Sequence, residues 1–339
     1  MSHLTYLEAG VVGLIQGVSE LFPVSSLGHN VLIPALIGGS WAQDLNVAKA
    51  ESPYLAFIVG LHVATAIALL IYFWRDWIRI IGGFLASLGQ FIAPAPGTRR
   101  WQLQSSDERL AWMVILATIP VGIAGLAFEH PFRVLFGKPI LAAVFLVVNG
   151  LILIAGERFR PPSSVEADQR AASERQLAAA GAMVSGGGRH AGGHQAIRNA
   201  EIAQAVHADR RLSAAGYSEA LIVGSSQILA LLAGISRDGV AMVAGMFRGL
   251  SREDAARFAF LLATPVILAA GVLKIPDLMG HLGNGIRGEV LFGSVLSGIG
   301  AYLSVRFLVR YFQTRTLTPF GIYCLVVGGA SIIYLGLIK

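Results

Sequence analysis

Charge is the first thing this chain is short of. Only 14% of its 339 residues are Asp, Glu, Lys or Arg, against about 25% in an average soluble domain. Hydrophobic residues make up 55% and the mean hydropathy is +0.65, so a soluble globular protein is excluded and an integral membrane protein is expected. Cysteine is nearly absent: Cys324 stands alone in an apolar run, which rules out an intrachain disulfide and argues against thiol redox chemistry. No basic segment precedes the first apolar stretch, and Glu8 interrupts that stretch, so a cleaved signal peptide is not expected. The net charge of +6 does not indicate nucleic acid, because the basic residues form no continuous polar domain. They gather between apolar segments, as the positive-inside rule requires.

What is present is a set of long apolar runs and many glycines, which permit close helix packing in lipid. Six runs are near the roughly 20 residues that cross a bilayer: Pro53–Trp74, Ala111–Phe128, Pro139–Gly156, Ala255–Leu273, Val290–Leu308 and Pro319–Ile338. Two more, Leu4–Ile37 and Ala220–Met246, are broken midway by polar and glycine residues. Neither half of either could span, which suits re-entrant helix–loop–helix hairpins. Between Arg158 and Ala215 large apolar residues almost vanish and GGGRHAGGH appears. This segment is expected to be a flexible linker, with His190, His194 and His207 as linker polarity rather than a metal site. Ile197–Val206 has helical amphipathicity.

The linker separates two matching halves. Gly13, Gln16, Ser25, Gly28 and Gly38 recur at identical offsets as Gly224, Gln227, Ser236, Gly239 and Gly249. Each hairpin is followed by three candidate spans, and an odd number of spans forces the halves into opposite orientations. The expected fold is therefore an all-α integral membrane protein of two inverted-topology repeats, residues 1–157 and 216–339. Each repeat is a re-entrant hairpin plus three transmembrane helices, and residues 158–215 link them. Arginines in the linker and in the Arg75–Arg109 loop put the linker in the cytoplasm and the mouth of the first hairpin outside.

The hairpins hold the chemistry. In QGVSELFPVSSLGH, residues 16–29, Gln16 and Glu20 share a helix face. Pro23 ends that helix, Ser26 or a neighbour caps the returning one, and His29 lies on its first turn. In AGISRDG, residues 233–239, Gly234, Ser236 and Arg237 open the partner half-helix. Two helix N-termini at a midplane, one bearing an arginine, suit an anion, and the guanidinium fork suits phosphate. Blander readings exist: Ser19 and Ser225 or Ser226 bonding their own helices, Glu20 and His29 as a structural pair, and Arg237–Asp238 as a simple salt bridge.

These residues resemble a known family. QGVSELFPVSSLGH is similar to the (Glu/Gln)-x-x-x-Glu…Pro-Val-Ser-Ser-x-Gly-His motif of bacterial undecaprenyl-diphosphate phosphatases, the bacitracin-resistance type. AGISRDG is similar to their Pro-Gly-x-Ser-Arg-Ser-Gly, and LSREDAARFAFLLATPV and TPFGIY also resemble family segments. Leu27, Ala233 and Asp238 depart from the pattern, where threonine, proline and serine are common. The resemblance implies hydrolysis of a polyprenyl diphosphate lipid in the bacterial inner membrane, with a site open to the extracytoplasmic side. It implies Glu20, Ser26, His29 and Arg237 as catalytic and Gln16, Ser25, Gly28, Gly234 and Ser236 as substrate-binding. Gln16 and Glu20 would hold a divalent cation, Mg²⁺ or Ca²⁺, unless Glu20 acts as a base. The nucleophile is Ser26, Ser25 or His29, and a homodimer is implied. The alternative from another class is a transporter or flippase of the same lipid, since inverted repeats with broken helices are also transporter architecture.

Overall fold

The structure, a computed structural model, describes residues 4–45, 53–92, 103, 105–136, 138–185, 205–280 and 285–337. Every regular element among these residues is helical. Five helices are long and apolar enough to cross a membrane: α6 (Ser106–Phe136), α7 (Pro139–Arg158), α12 (Arg252–Met279), α13 (Arg287–Tyr311) and α14 (Thr318–Leu337). A sixth candidate is α4 (Pro53–Tyr72) taken with α5 (Trp74–Ile92), which bends from it by 84°.

The bend replaces part of the expected Arg75–Arg109 loop with a helix. Ile80, Gly83 and Ser87 of α5 turn inward, and the Trp112 indole of α6 donates to the Ser87 hydroxyl at 3.0 Å. Trp74, Ile78, Ile81 and Leu85 form an exposed apolar stripe at helical spacing. Mean hydropathy missed this helix because half of its surface is polar.

The broken apolar stretches became pairs of short helices. α1 (Tyr6–Ser19) and α2 (Ser26–Ile37) flank residues 20–25, and a short α3 (Gly39–Asp44) follows. α10 (Tyr217–Ser226) runs through a 3₁₀ turn at Gln227–Leu231 before α11 (Arg237–Phe247). α1 starts with a capping box, Thr5 and Glu8 each bonding the other's backbone N–H. It ends at Ser19, four residues before Pro23 rather than at it.

The first helix of each pair packs against a long one from the other half, α1 on α13 and α10 on α6. The matched glycines explain the closeness. A Cβ on Gly13 would lie 2.4 Å from the Gly293 carbonyl, and one on Gly224 would lie 2.0 Å from that of Ala117. Any side chain would push these helices apart, and lipid supplies no hydrophobic drive to restore them.

The described part of the segment after Arg158, expected to be a flexible linker, is helical. Residues 162–185 form α8 and residues 205–214 form a further helix, α9. Both dock through ion pairs: Arg211 on Asp254 at 2.8 Å, Arg257 on Asp209 at 2.9 Å, Arg160 on Asp168 at 2.8 Å, and Arg175 on Glu253. Ala171, Ser164, Ala208 and Leu212 are buried. Small and charged residues cannot build a core alone, but they can dress the end of a helix bundle. His190, His194 and most of Ile197–Val206 lie outside the described residues, while His207 is exposed on α9.

Candidate active site

The two loops meet. Ser25 takes a left-handed backbone, φ +67°, the one non-glycine residue to do so among the described residues. Such a conformation costs of order 1–3 kcal/mol and persists where surroundings over-determine it. Here its hydroxyl accepts the Gly28 N–H at 3.2 Å, capping α2, and also the Gly234 N–H at 3.2 Å from the partner loop. Gly234 is at φ +114°, and a Cβ there would lie 2.4 Å from the Ala142 carbonyl. Gly28 sits against it, since a Cβ on Gly28 would meet the Gly234 Cα at 2.9 Å. Ser236 caps α11 as Ser25 caps α2, accepting the Gly239 N–H at 3.1 Å. Asn149 of α7 clamps both loops, donating to the Pro23 carbonyl at 3.0 Å and accepting the Ser236 N–H at 2.9 Å.

Glu20 is the hub. Its Oε2 accepts from Gln16 at 2.7 Å and from the Ser26 hydroxyl, and its Oε1 accepts from the Arg237 guanidinium at 2.6 Å. Gln16 in turn accepts from Asn30 at 2.6 Å. Gln16 and Glu20 therefore do share a face, and Arg237, 217 positions away, closes the carboxylate from the second half. All of these side chains are buried or nearly so.

His29 is elsewhere in the network. Its Nδ1 donates to the Ser25 carbonyl at 2.7 Å, which leaves Nε2 to accept from the Tyr323 hydroxyl at 2.8 Å. The two rings stack at 5.7 Å. Neither nitrogen meets Ser26, whose partner is Glu20, nor does His29 pair with Glu20.

His62 of α4 is a site residue that sequence reading missed. Its Nδ1 faces the Ile58 carbonyl at 2.8 Å and its Nε2 lies 3.4 Å from Glu20 Oε2. Both neighbours are oxygen acceptors, so the ring stands between the α4 backbone and the Glu20 carboxylate. Nothing around His62 in the chain signals this, because α4 is apolar on either side. Tyr323 lies inside the quoted TPFGIY segment, but its link to His29 spans 294 positions.

The bland readings are settled one by one. Ser19 bonds its own Ile15 carbonyl at 2.6 Å and Ser226 the Val223 carbonyl at 2.7 Å. Arg237 Nε lies 3.6 Å from Asp238, yet both buried Asp238 oxygens lack a hydrogen-bond partner. Arg237 thus makes a loose ion pair with Asp238 and a hydrogen-bonded one with Glu20.

Residues 9–330 match the family described as bacitracin resistance protein BacA. An undecaprenyl-diphosphatase of Mycolicibacterium paratuberculosis is 55% identical over 336 residues, covering 99% of each chain. An undecaprenyl-diphosphatase 2 of Frankia alni is 55% identical over 346 residues, covering 97% of each. A protein of that name from Chromobacterium violaceum is 38% identical over 333 residues, covering 97% of this chain and 98% of its own.

Proposed function

The chain belongs to the BacA bacitracin-resistance family, and from that premise we propose that it hydrolyses undecaprenyl diphosphate to undecaprenyl phosphate and inorganic phosphate. This would recycle a lipid carrier for cell-wall synthesis and confer bacitracin resistance. The observation that carries the reading is the Glu20 hub, where a serine hydroxyl, a carboxylate and a buried guanidinium converge from both halves.

The arrangement supports a phosphoseryl route. Ser26 Oγ attacks the terminal phosphorus and the bridging P–O bond breaks. The serine proton passes through Glu20 to the departing undecaprenyl phosphate, so Glu20 is ionised again when that product leaves. Arg237 and the N–H groups that open α2 and α11 face the charge that develops on the phosphoryl oxygens. Water, deprotonated by Glu20, then attacks the phosphoserine, the bond from phosphorus to Ser26 Oγ breaks, and Glu20 returns the proton to that oxygen as inorganic phosphate leaves. His29, held by Tyr323 and the Ser25 carbonyl, orders the loop beside Ser26.

The expected cation ligands do not fit a resident Mg²⁺ or Ca²⁺. The Gln16 oxygen accepts from Asn30, and both Glu20 oxygens accept from protein donors, one of them a guanidinium. A hard cation needs several free oxygens at 2.0–2.6 Å. A cation carried in by the diphosphate and held by phosphate oxygens and water needs none of these groups to move.

We further propose the inverted repeat, with residues 158–215 and the arginine-rich end of the bundle in the cytoplasm of the plasma membrane and the site open to the other side. Support comes from the matched roles of Gly13 with Gly224 and of Ser25 with Ser236, and from the arginine bias. A homodimer is proposed on the family resemblance alone.

The test is phosphate release from C55 and C15 prenyl diphosphates by protein in detergent, with and without EDTA. No gradient exists there, so release cannot reflect transport. Trapped phosphoenzyme should be acid-stable phosphoserine on the Ser26 peptide. Acid-labile phosphohistidine on the His29 peptide would overturn the assignment of the nucleophile. No phosphate release at all would overturn hydrolysis and restore the transport reading.

A further inference from the structure

At the end of α13 the chain builds a second anion-seeking surface, separate from the catalytic hub. Leu303, Arg306, Phe307, Arg310 and Thr314 follow at i, i+3, i+4, i+7 and i+11 and line one cavity of about 440 Å³, with Tyr311 and Arg315 completing it. Arg306, Arg310 and Arg315 are exposed and have no carboxylate within 4 Å among the described residues. Arg79, Arg160, Arg175, Arg211, Arg252 and Arg257 are all bound to Asp or Glu. Three unpaired guanidinium groups in one cavity repel each other unless an anion is supplied.

The cavity wall is built rather than incidental. The Tyr311 hydroxyl donates to the Thr316 carbonyl at 3.2 Å, and Arg175 of α8 donates to the Gln313 carbonyl at 3.0 Å. Together they fix the turn that carries Arg315 against the end of α13. Tyr311 also packs on Phe307 and Phe320, with ring centroids 5.5 and 5.2 Å apart.

The groove is graded from apolar to cationic. Leu303 and Phe307 are 59% and 51% exposed on the inner part of a span that ends at Tyr311. Arg310 and Arg315 lie at its end, and Leu303 to Arg310 covers about 10 Å at 1.5 Å per residue. A free anion would use the arginines and leave the apolar part uncovered. A lipid would use both, with acyl chains along Leu303 and Phe307 and its phosphate among the arginines. Arg306 can reach that phosphate by extending its stem along the helix.

We propose that this groove is a binding site for an anionic phospholipid of the arginine-rich leaflet, recognised through its headgroup phosphate. Basic pockets at the membrane boundary bind anionic headgroups in this way. Because the site uses none of the Glu20 network, it stands or falls independently of the catalytic reading.

The test is native mass spectrometry of the full chain released from detergent micelles doped with equal phosphatidylglycerol and phosphatidylcholine of the same acyl chains. Wild type should retain phosphatidylglycerol in at least about tenfold preference, which is about 1.4 kcal/mol. The Arg306→Gln/Arg310→Gln/Arg315→Gln variant should lose that preference while prenyl diphosphate hydrolysis continues. Equal retention of the two lipids by wild type would overturn the proposal, as would an undiminished preference in the variant. Displacement of the lipid by millimolar inorganic phosphate would also overturn it, because that marks a free-anion site. Should the triple variant fail to fold, a photoactivatable phosphatidylglycerol on wild type decides. Crosslinks within 303–315 support the site, and crosslinks only elsewhere refute it.

Discussion

Replacing Arg237 by lysine keeps the charge and removes the fork, which makes it the sharpest probe of the hub. Arg237 reaches Glu20 from the opposite half at 2.6 Å, with the arginine side chain 15% and the glutamate 5% exposed. Truncation to alanine would strand a buried carboxylate, at about 3–5 kcal/mol, and would confuse folding with catalysis. Lysine still neutralises Glu20, and Gln16, Ser26 and His62 remain around it. What lysine cannot do is hold Glu20 and a phosphoryl oxygen together, since its ammonium is one compact charge. Losing one preorganised donor to developing oxyanion charge costs about 10²–10³ in kcat. Arg237→Lys should therefore lower kcat about a hundredfold or more, with a smaller rise in KM and little change in Tm. The assay is inorganic phosphate release from C55 diphosphate in detergent, with Tm read on the same preparation. A kcat within threefold of wild type at unchanged Tm would refute the idea that Arg237 serves both partners.

Other outcomes follow from neighbouring residues. His62→Ala removes a donor from the Glu20 edge and should cut kcat about tenfold, whereas His62→Gln, which can still donate, should recover part of it; equal loss in both would make His62 a mere space-filler. Asp238→Asn removes a buried carboxylate that has no hydrogen-bond partner and only a loose ion pair with Arg237, so it should raise Tm or leave it unchanged and lower KM, by up to about tenfold; a fall in Tm would show that the charge is compensated. Deleting residues 160–212 removes the ion pairs to Asp254, Glu253 and Arg257 and should lower Tm and yield, measurable by thermal shift. In a Cys324→Ala background, Ser40→Cys should react with an impermeant thiol reagent on intact cells and Arg170→Cys only on opened ones; the reverse pattern would invert the proposed topology.

Much of this protein is determined locally along the chain. Scarce charge and runs near 20 apolar residues suffice for membrane spans, because the cost of an unpaired polar group in lipid is paid residue by residue. The broken segments, the pairing of Gln16 with Glu20 on one face, and the repeat of Gly13, Ser25 and Gly28 in Gly224, Ser236 and Gly239 are legible for the same reason: each depends on spacing within one element. α5 escaped a reading based on mean hydropathy because amphipathicity averages out. α8 and α9 escaped because they have no core of their own and are held by carboxylates on distant helices. The site's wiring was decided only by packing. His62 beside Glu20, Tyr323 on His29, Arg237 across 217 positions and Asn149 between the loops involve partners whose own surroundings carry no sign of one another. Their distances are set where two helix pairs cross, at glycines that let backbones touch, and no property of a linear sequence encodes which side chain will stand on the far side of that contact.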